Sequence, residues 1–129
     1  MKGDIEYPTV SDVSIAAVLE ENAWSIYLIN QKEVNLEGVL VSSRGYGLIE
    51  GEDVETSVLR HFLDTVAAKS FVKIEPIMDD VFRLNNEYWL SFYIAGVIYD
   101  KKFIFLPETI NENFFTLVPV MEKKGVLIS

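Results

Sequence analysis

Apolar residues recur on alternate positions along most of this chain, and near its middle they occupy both faces at once. Across residues 88–99, alternation sets Tyr88, Leu90, Phe92 and Ile94 on one face and Trp89, Ser91, Tyr93 and Ala95 on the other. Neither face is mainly charged, so such a strand needs cover on both sides. Residues 13–19 alternate in the same way, as do 24–30, where Trp24, Ile26 and Leu28 oppose Ser25, Tyr27 and Ile29. Polar breaks at 20–23 and 31–33 join these segments to a third at 36–42, the pattern of an antiparallel meander. Further strands are predicted at 71–77, 81–84 and 103–106, with turns at 78–80, 85–86 and 99–102 and a last edge strand at 125–128.

The period changes over residues 53–66. Val54, Val58, Leu59, Phe62, Leu63 and Val66 gather on one side at ~100° per residue, which predicts a helix. Asp53 serves as its N-cap, Glu52 and Glu55 suit its positive end and Lys69 its negative end. A second, shorter helix is indicated at 108–115, opened by Pro107 and closed before Pro119. Residues 1–8 read as an extended lead-in, because Tyr7 precedes Pro8 and is pushed from helical geometry.

The expected fold is therefore α+β, one domain over residues 1–129. It comprises a mostly antiparallel sheet of six or seven strands, with the main helix at about 53–66 packed on one face and a short C-terminal helix beside it. A helix of that length spans only about 21 Å and cannot roof so many aromatic rings. Either the sheet curls around them or a second subunit covers the remainder.

Composition narrows the chemistry. The 129 residues contain no cysteine, which removes disulfides, thiolate nucleophiles and cysteine-held metals. The single His61 rules out a multi-histidine metal site within one chain, so neither a metal nor another cofactor is assigned. A net charge of −9 opposes binding to nucleic acid. No apolar run reaches the roughly 18 residues of a membrane span, and the start lacks a basic-then-apolar signal, so a cytoplasmic location is expected.

Four groups of residues are candidates for function. On a 53–66 helix, Ser57, His61 and Asp64 share one face, but a solvated face supplies neither oxyanion donors nor a buried aspartate. The segment 42–47 reads as a glycine-bearing loop in which Ser42, Ser43, Arg44 and Tyr46 offer hydroxyls and a guanidinium to an anionic ligand. Among the carboxylates, Glu75 stands out because it shares a strand face with Phe71, Lys73 and Ile77 instead of occupying a turn, either exposed to solvent or paired with Lys73 or Arg83. The rings of Trp24, Tyr27, Trp89 and Tyr93 are candidate contacts with another protein.

No catalytic motif stands above this background. The first functional reading is a non-enzymatic, self-associating or protein-binding module, with a homodimer as the favoured assembly. The second is a small enzyme or binder of an anionic ligand. Its cleft would lie between the 53–66 helix and the 42–47 loop, with Arg44 on the anion and His61 as acid or base; Glu75 is a separate catalytic candidate.

Overall fold

A computed structural model describes residues 9–129, so the expected lead-in at 1–8 lies outside the described residues. Ten strands run in chain order: β1 (Val13–Glu20), β2 (Ala23–Asn30), β3 (Leu36–Ile49), β4 (Glu52–Glu55), β5 (Leu59–Val66), β6 (Ser70–Ile77), β7 (Asn85–Ile94), β8 (Val97–Phe105), β9 (Thr116–Val118) and β10 (Lys123–Ile128). They form two five-stranded sheets with antiparallel pairing throughout. The first has the order β6-β2-β1-β10-β9; the second has the order β4-β3-β7-β8, with β5 also paired to β3. The architecture is nearly all β, which corrects the α+β expectation.

The 53–66 segment is not a helix but β4 and β5, laid end to end along one edge of β3. Two effects outweigh its helical spacing. Val54, Thr56, Val58, Thr65 and Val66 are β-branched and give up χ1 freedom in a helix. In addition, β3 is 14 residues long, about 46 Å of edge that would otherwise carry unpaired backbone groups. The 108–115 helix likewise reduces to one 3₁₀ turn at Glu112–Phe114, where the Asn111 side chain caps the Asn113 N–H at 2.8 Å.

Boundaries move elsewhere for similar reasons. Residues 85–86 begin β7 instead of forming a turn, and the chain reverses at Ala95–Gly96, both at positive φ, inside the segment read as one long strand. Residues 99–102 belong to β8. The C-terminal segment, expected at an edge, lies as β10 between β1 and β9.

The cover that the sequence assigned to a helix comes from the other sheet. Val13, Ile15, Ile26 and Leu28 of the first sheet pack against Val39, Val41, Leu90, Phe92 and Phe103 of the second in one core. A bulge in β3 sets this phase. The register slips between Glu37 and Leu40, with Gly38 at φ +55°, so Leu36, Val39 and Val41 all point inward. Trp24, one of the candidate contact rings, packs edge-on against Phe82 and Phe115, with centroids 5.7 Å away in each case.

The first sheet's outer face has its own cover. Ala16, Val18, Tyr27 and Ile29 form a second, smaller cluster with Val118 and Met121, which the β9–β10 connection brings over them. Tyr27 is thereby buried and donates to Glu20 at 2.6 Å. Desolvation first, and the Glu20 carboxylate second, push its phenol up to about 12.

Close approach fixes one glycine. A Cβ on Gly125 would meet the Ala17 carbonyl oxygen at 2.7 Å and the Val18 and Val118 side chains at 3.1 Å. Gly125→Ala is expected to force β10 away from β1 and cost about 1–3 kcal/mol. A urea denaturation series that leaves the midpoint unchanged would contradict this packing.

Candidate functional site

Four strands from both sheets converge on the Glu75 carboxylate. β6 is an edge strand of the first sheet, and Glu75 pairs with the buried Ile26, so its side chain aims across the interior at the second sheet. There, register sets Ser43 of β3 beside Tyr88 of β7, and Val41 beside His61 of β5. Ser43 Oγ donates to Glu75 Oε1 at 2.8 Å, and the Tyr88 hydroxyl donates to Oε2 at 2.9 Å. His61 Nε2 lies 2.7 Å from Oε1, and because an ionised carboxylate only accepts, that nitrogen is the donor.

The carboxylate is 11% exposed, whereas the His61 side chain is 28% exposed and reaches solvent. Tyr88 is fully buried. Desolvation chiefly, with the nearby Glu75 charge and hydrogen bond adding to it, pushes its phenol well above the ordinary value. Ionising Tyr88 would place a second anion beside the first in a poorly solvated site, so it remains a donor across the ordinary pH range.

A cavity of about 310 Å³ opens beside this cluster. Glu75, Ser43 and Tyr88 line it together with the apolar Leu59, Pro76, Ile77, Met78 and Val81. Asn86 holds one side of it in place. Its Nδ2 donates to the Val81 and Leu84 carbonyls at 3.0 and 3.1 Å, tying the segment after β6 back onto β7. Across the opening, Thr56 Oγ1 accepts from the Gly45 N–H at 2.7 Å and fixes the link between β4 and β5.

His61 and Glu75, 14 positions apart in sequence, are thus brought into contact. Ser43 joins them, while Ser42, Arg44 and Tyr46 do not. Residues 42–47 are the interior of β3, not a loop, so alternate side chains leave by opposite faces. The expected cleft between a helix and a loop is corrected in kind: residues of 42–47 and 53–66 do line the cavity, but as β3 and the β4–β5 segment, with β6, β7 and the segment between them completing it. Arg44 stacks over the Tyr46 ring at 4.6 Å and pairs with Glu87 at 3.2 Å and Glu55 at 3.6 Å. The Glu87 hydrogen bond, above all, raises its already high pKa. Ser57 lines the cavity, and Asp64 sits at a β5 irregularity with φ +59°, so Ser57, His61 and Asp64 share no face.

Ser43 and His61 both point at the carboxylate and not at each other. A serine relay needs the hydroxyl to donate to the imidazole, so this geometry suits holding a ligand better than nucleophilic attack. Tyr88, Thr56 and Asn86 escaped the sequence reading, the first because its ring signals only core and the last because two asparagines resemble a turn. Among the described residues, no group of three or more His, Asp or Glu side chains is placed to hold a metal ion, and no helix is long and apolar enough to cross a membrane.

The remaining two candidate rings lie elsewhere. Trp89 and Tyr93 are on the outer face of the second sheet, where Lys102 Nζ stands 5.4 Å from the Trp89 ring centroid. No family model, no curated protein and no solved structure matches this chain.

Proposed function

We propose that this protein is a non-enzymatic cytoplasmic module that pairs with a second copy of itself through the outer face of its second sheet. One observation carries this reading. Phe62 (67% exposed), Leu40 (38%), Trp89 (44%), Tyr93 (44%) and Ile98 (47%) come from four adjacent strands and open to one side. Register sets Phe62 beside Leu40 and Tyr93 beside Ile98, with Ser91 and Asp100 completing the row of Leu40 between Trp89 and Tyr93. The first sheet's outer face is covered by the chain's own C-terminal residues, and this one is not. Exposed apolar patches of such extent mark contact sites.

The occupant is a second copy, because soluble oligomers are most often two-fold symmetric and such an axis lets one patch cover itself. On this face Asp100 shares the row of Phe62 and Leu40 through Ser91, and Arg60 and Lys102 share the row of Trp89. A two-fold axis along the Phe62–Leu40 row stacks these two side chains on their own counterparts and sets the two Asp100 carboxylates against each other, so the apolar belt supplies the affinity and added salt favours pairing.

Four strands about 4.8 Å apart and six or seven residues long give a footprint on the order of 400 Å² per copy, about 800 Å² in total, which is below the range of stable interfaces and within that of weak, transient ones. Sedimentation velocity is expected to show a reversible dimer with a dissociation constant on the order of 10 μM. Phe62→Glu should weaken it at least about tenfold while shifting stability by less than about 0.5 kcal/mol, since the ring is exposed. Asp100→Asn should tighten it by removing the like-charge contact on the axis. A strict monomer at all concentrations, or a dimer indifferent to Phe62→Glu, would rule the reading out.

A further inference from the structure

We infer that the cavity between the sheets binds a small cationic molecule, an amine or amidine carrying an apolar group, with Glu75 as its counter-charge. This goes beyond the pairing reading and does not depend on it, because the cavity lining shares no residue with the exposed apolar belt of the second sheet.

The electrostatics select the ligand's sign. Glu75 is partly buried, with its side chain 11% exposed, and among the described residues no lysine or arginine lies within 4.0 Å of it, its one basic contact being His61 at 2.7 Å. Ser43, His61 and Tyr88 occupy three of the roughly four acceptor positions of the carboxylate, which leaves one on Oε2 for a further donor. Asp80 adds a second negative side chain to the cavity lining. Arg44, the lining residue that would attract an anion, is already held by Glu87 and Glu55. The net charge of −9 raises the local concentration of cations further.

The shape selects the rest of the molecule. A volume of about 310 Å³ is at the lower end for ligand pockets and admits a single ring or a short alkyl chain. Leu59, Pro76, Ile77 and Val81 offer that group apolar walls, while the ammonium or amidinium faces Glu75. A polar head fixed at one end and an apolar body against the walls is the usual division of labour in such sites.

Benzylamine, benzyl alcohol and benzoate share a ring and differ in charge, which makes them suitable probes for NMR titration of the full chain. Benzylamine should bind with a dissociation constant on the order of 0.1–1 mM, benzyl alcohol about tenfold or more weakly, and benzoate not measurably. Intermolecular NOEs should run from the benzylamine ring to the Ile77 and Val81 methyls, a readout that needs no variant. Glu75→Gln should lower affinity at least tenfold, and Phe62→Glu, which tests the pairing face, should leave it unchanged. Equal binding of benzoate, NOEs confined to other residues, or no binding by benzylamine would each overturn the inference whether or not the protein dimerises.

Discussion

Phe92→Ala is expected to destabilise the fold by about 3–5 kcal/mol, the largest single effect in the core. Phe92 is fully buried near the C-terminal end of β7, and its ring stacks on that of Tyr99 at 5.4 Å and 7°. Truncation removes the transfer energy of the ring and leaves a hole that the two sheets, hydrogen-bonded along their lengths, cannot close. Phe92→Leu should lose less than half as much, because most of the volume is kept. Three positions earlier on the same strand, Trp89→Ala should cost about 1 kcal/mol or less, since Trp89 faces outward and is 44% exposed. Urea denaturation followed by circular dichroism gives all three values. Similar losses at Phe92 and Trp89 would mean that the two faces of β7 are wrongly assigned.

Glu75→Ala should follow, at about 2–4 kcal/mol, through a different mechanism. It deletes the common acceptor of Ser43 and Tyr88, both buried, and strands two hydroxyls that folding has withdrawn from water. His61 suffers less because it reaches solvent. Glu75→Gln retains one acceptor oxygen and should cost roughly half as much. Since Tyr88→Phe removes the donor whose orphaning accounts for part of the loss, the Glu75→Ala, Tyr88→Phe double variant should be more stable than the sum of the singles by about 1–2 kcal/mol. Strict additivity in that cycle would show that the carboxylate and the phenol do not interact.

The site was legible to different depths at different residues. Glu75 stood out as a strand carboxylate alternating with Phe71, Lys73 and Ile77, but the β2–β6 register slips between Ile26 and Tyr27, so Phe71 and Lys73 pair with the outward Ile29 and Tyr27 while Glu75 pairs with the inward Ile26. His61 stood out as the only imidazole, but its chemistry was placed on a helix that does not form. Ser43 was grouped with Ser42, Arg44 and Tyr46 because glycines at 45 and 47 suggested a loop. As a strand, the same segment sends Ser43 inward to Glu75 and Arg44 outward to Glu87. Of the aromatic candidates, Trp89 and Tyr93 share an open face, while Trp24 and Tyr27 are enclosed by Phe82, Phe115 and the cluster around Met121.

Local alternation determined that the chain would build antiparallel strands, and it identified most of β1, β2 and β6 together with the inward set Tyr88, Leu90 and Phe92. Inventory determined which chemistries lack their residues, cysteine-based sites above all. Only the tertiary structure decided the state of residues 53–66, because six apolar side chains at helical spacing satisfy a helix locally, whereas the unpaired edge of β3 is a demand that arises many residues away. The same holds for the joining of Ser43, His61, Glu75 and Tyr88. Their meeting depends on strand register across two sheets, and register is set by pairing and bulges that no short window of sequence contains.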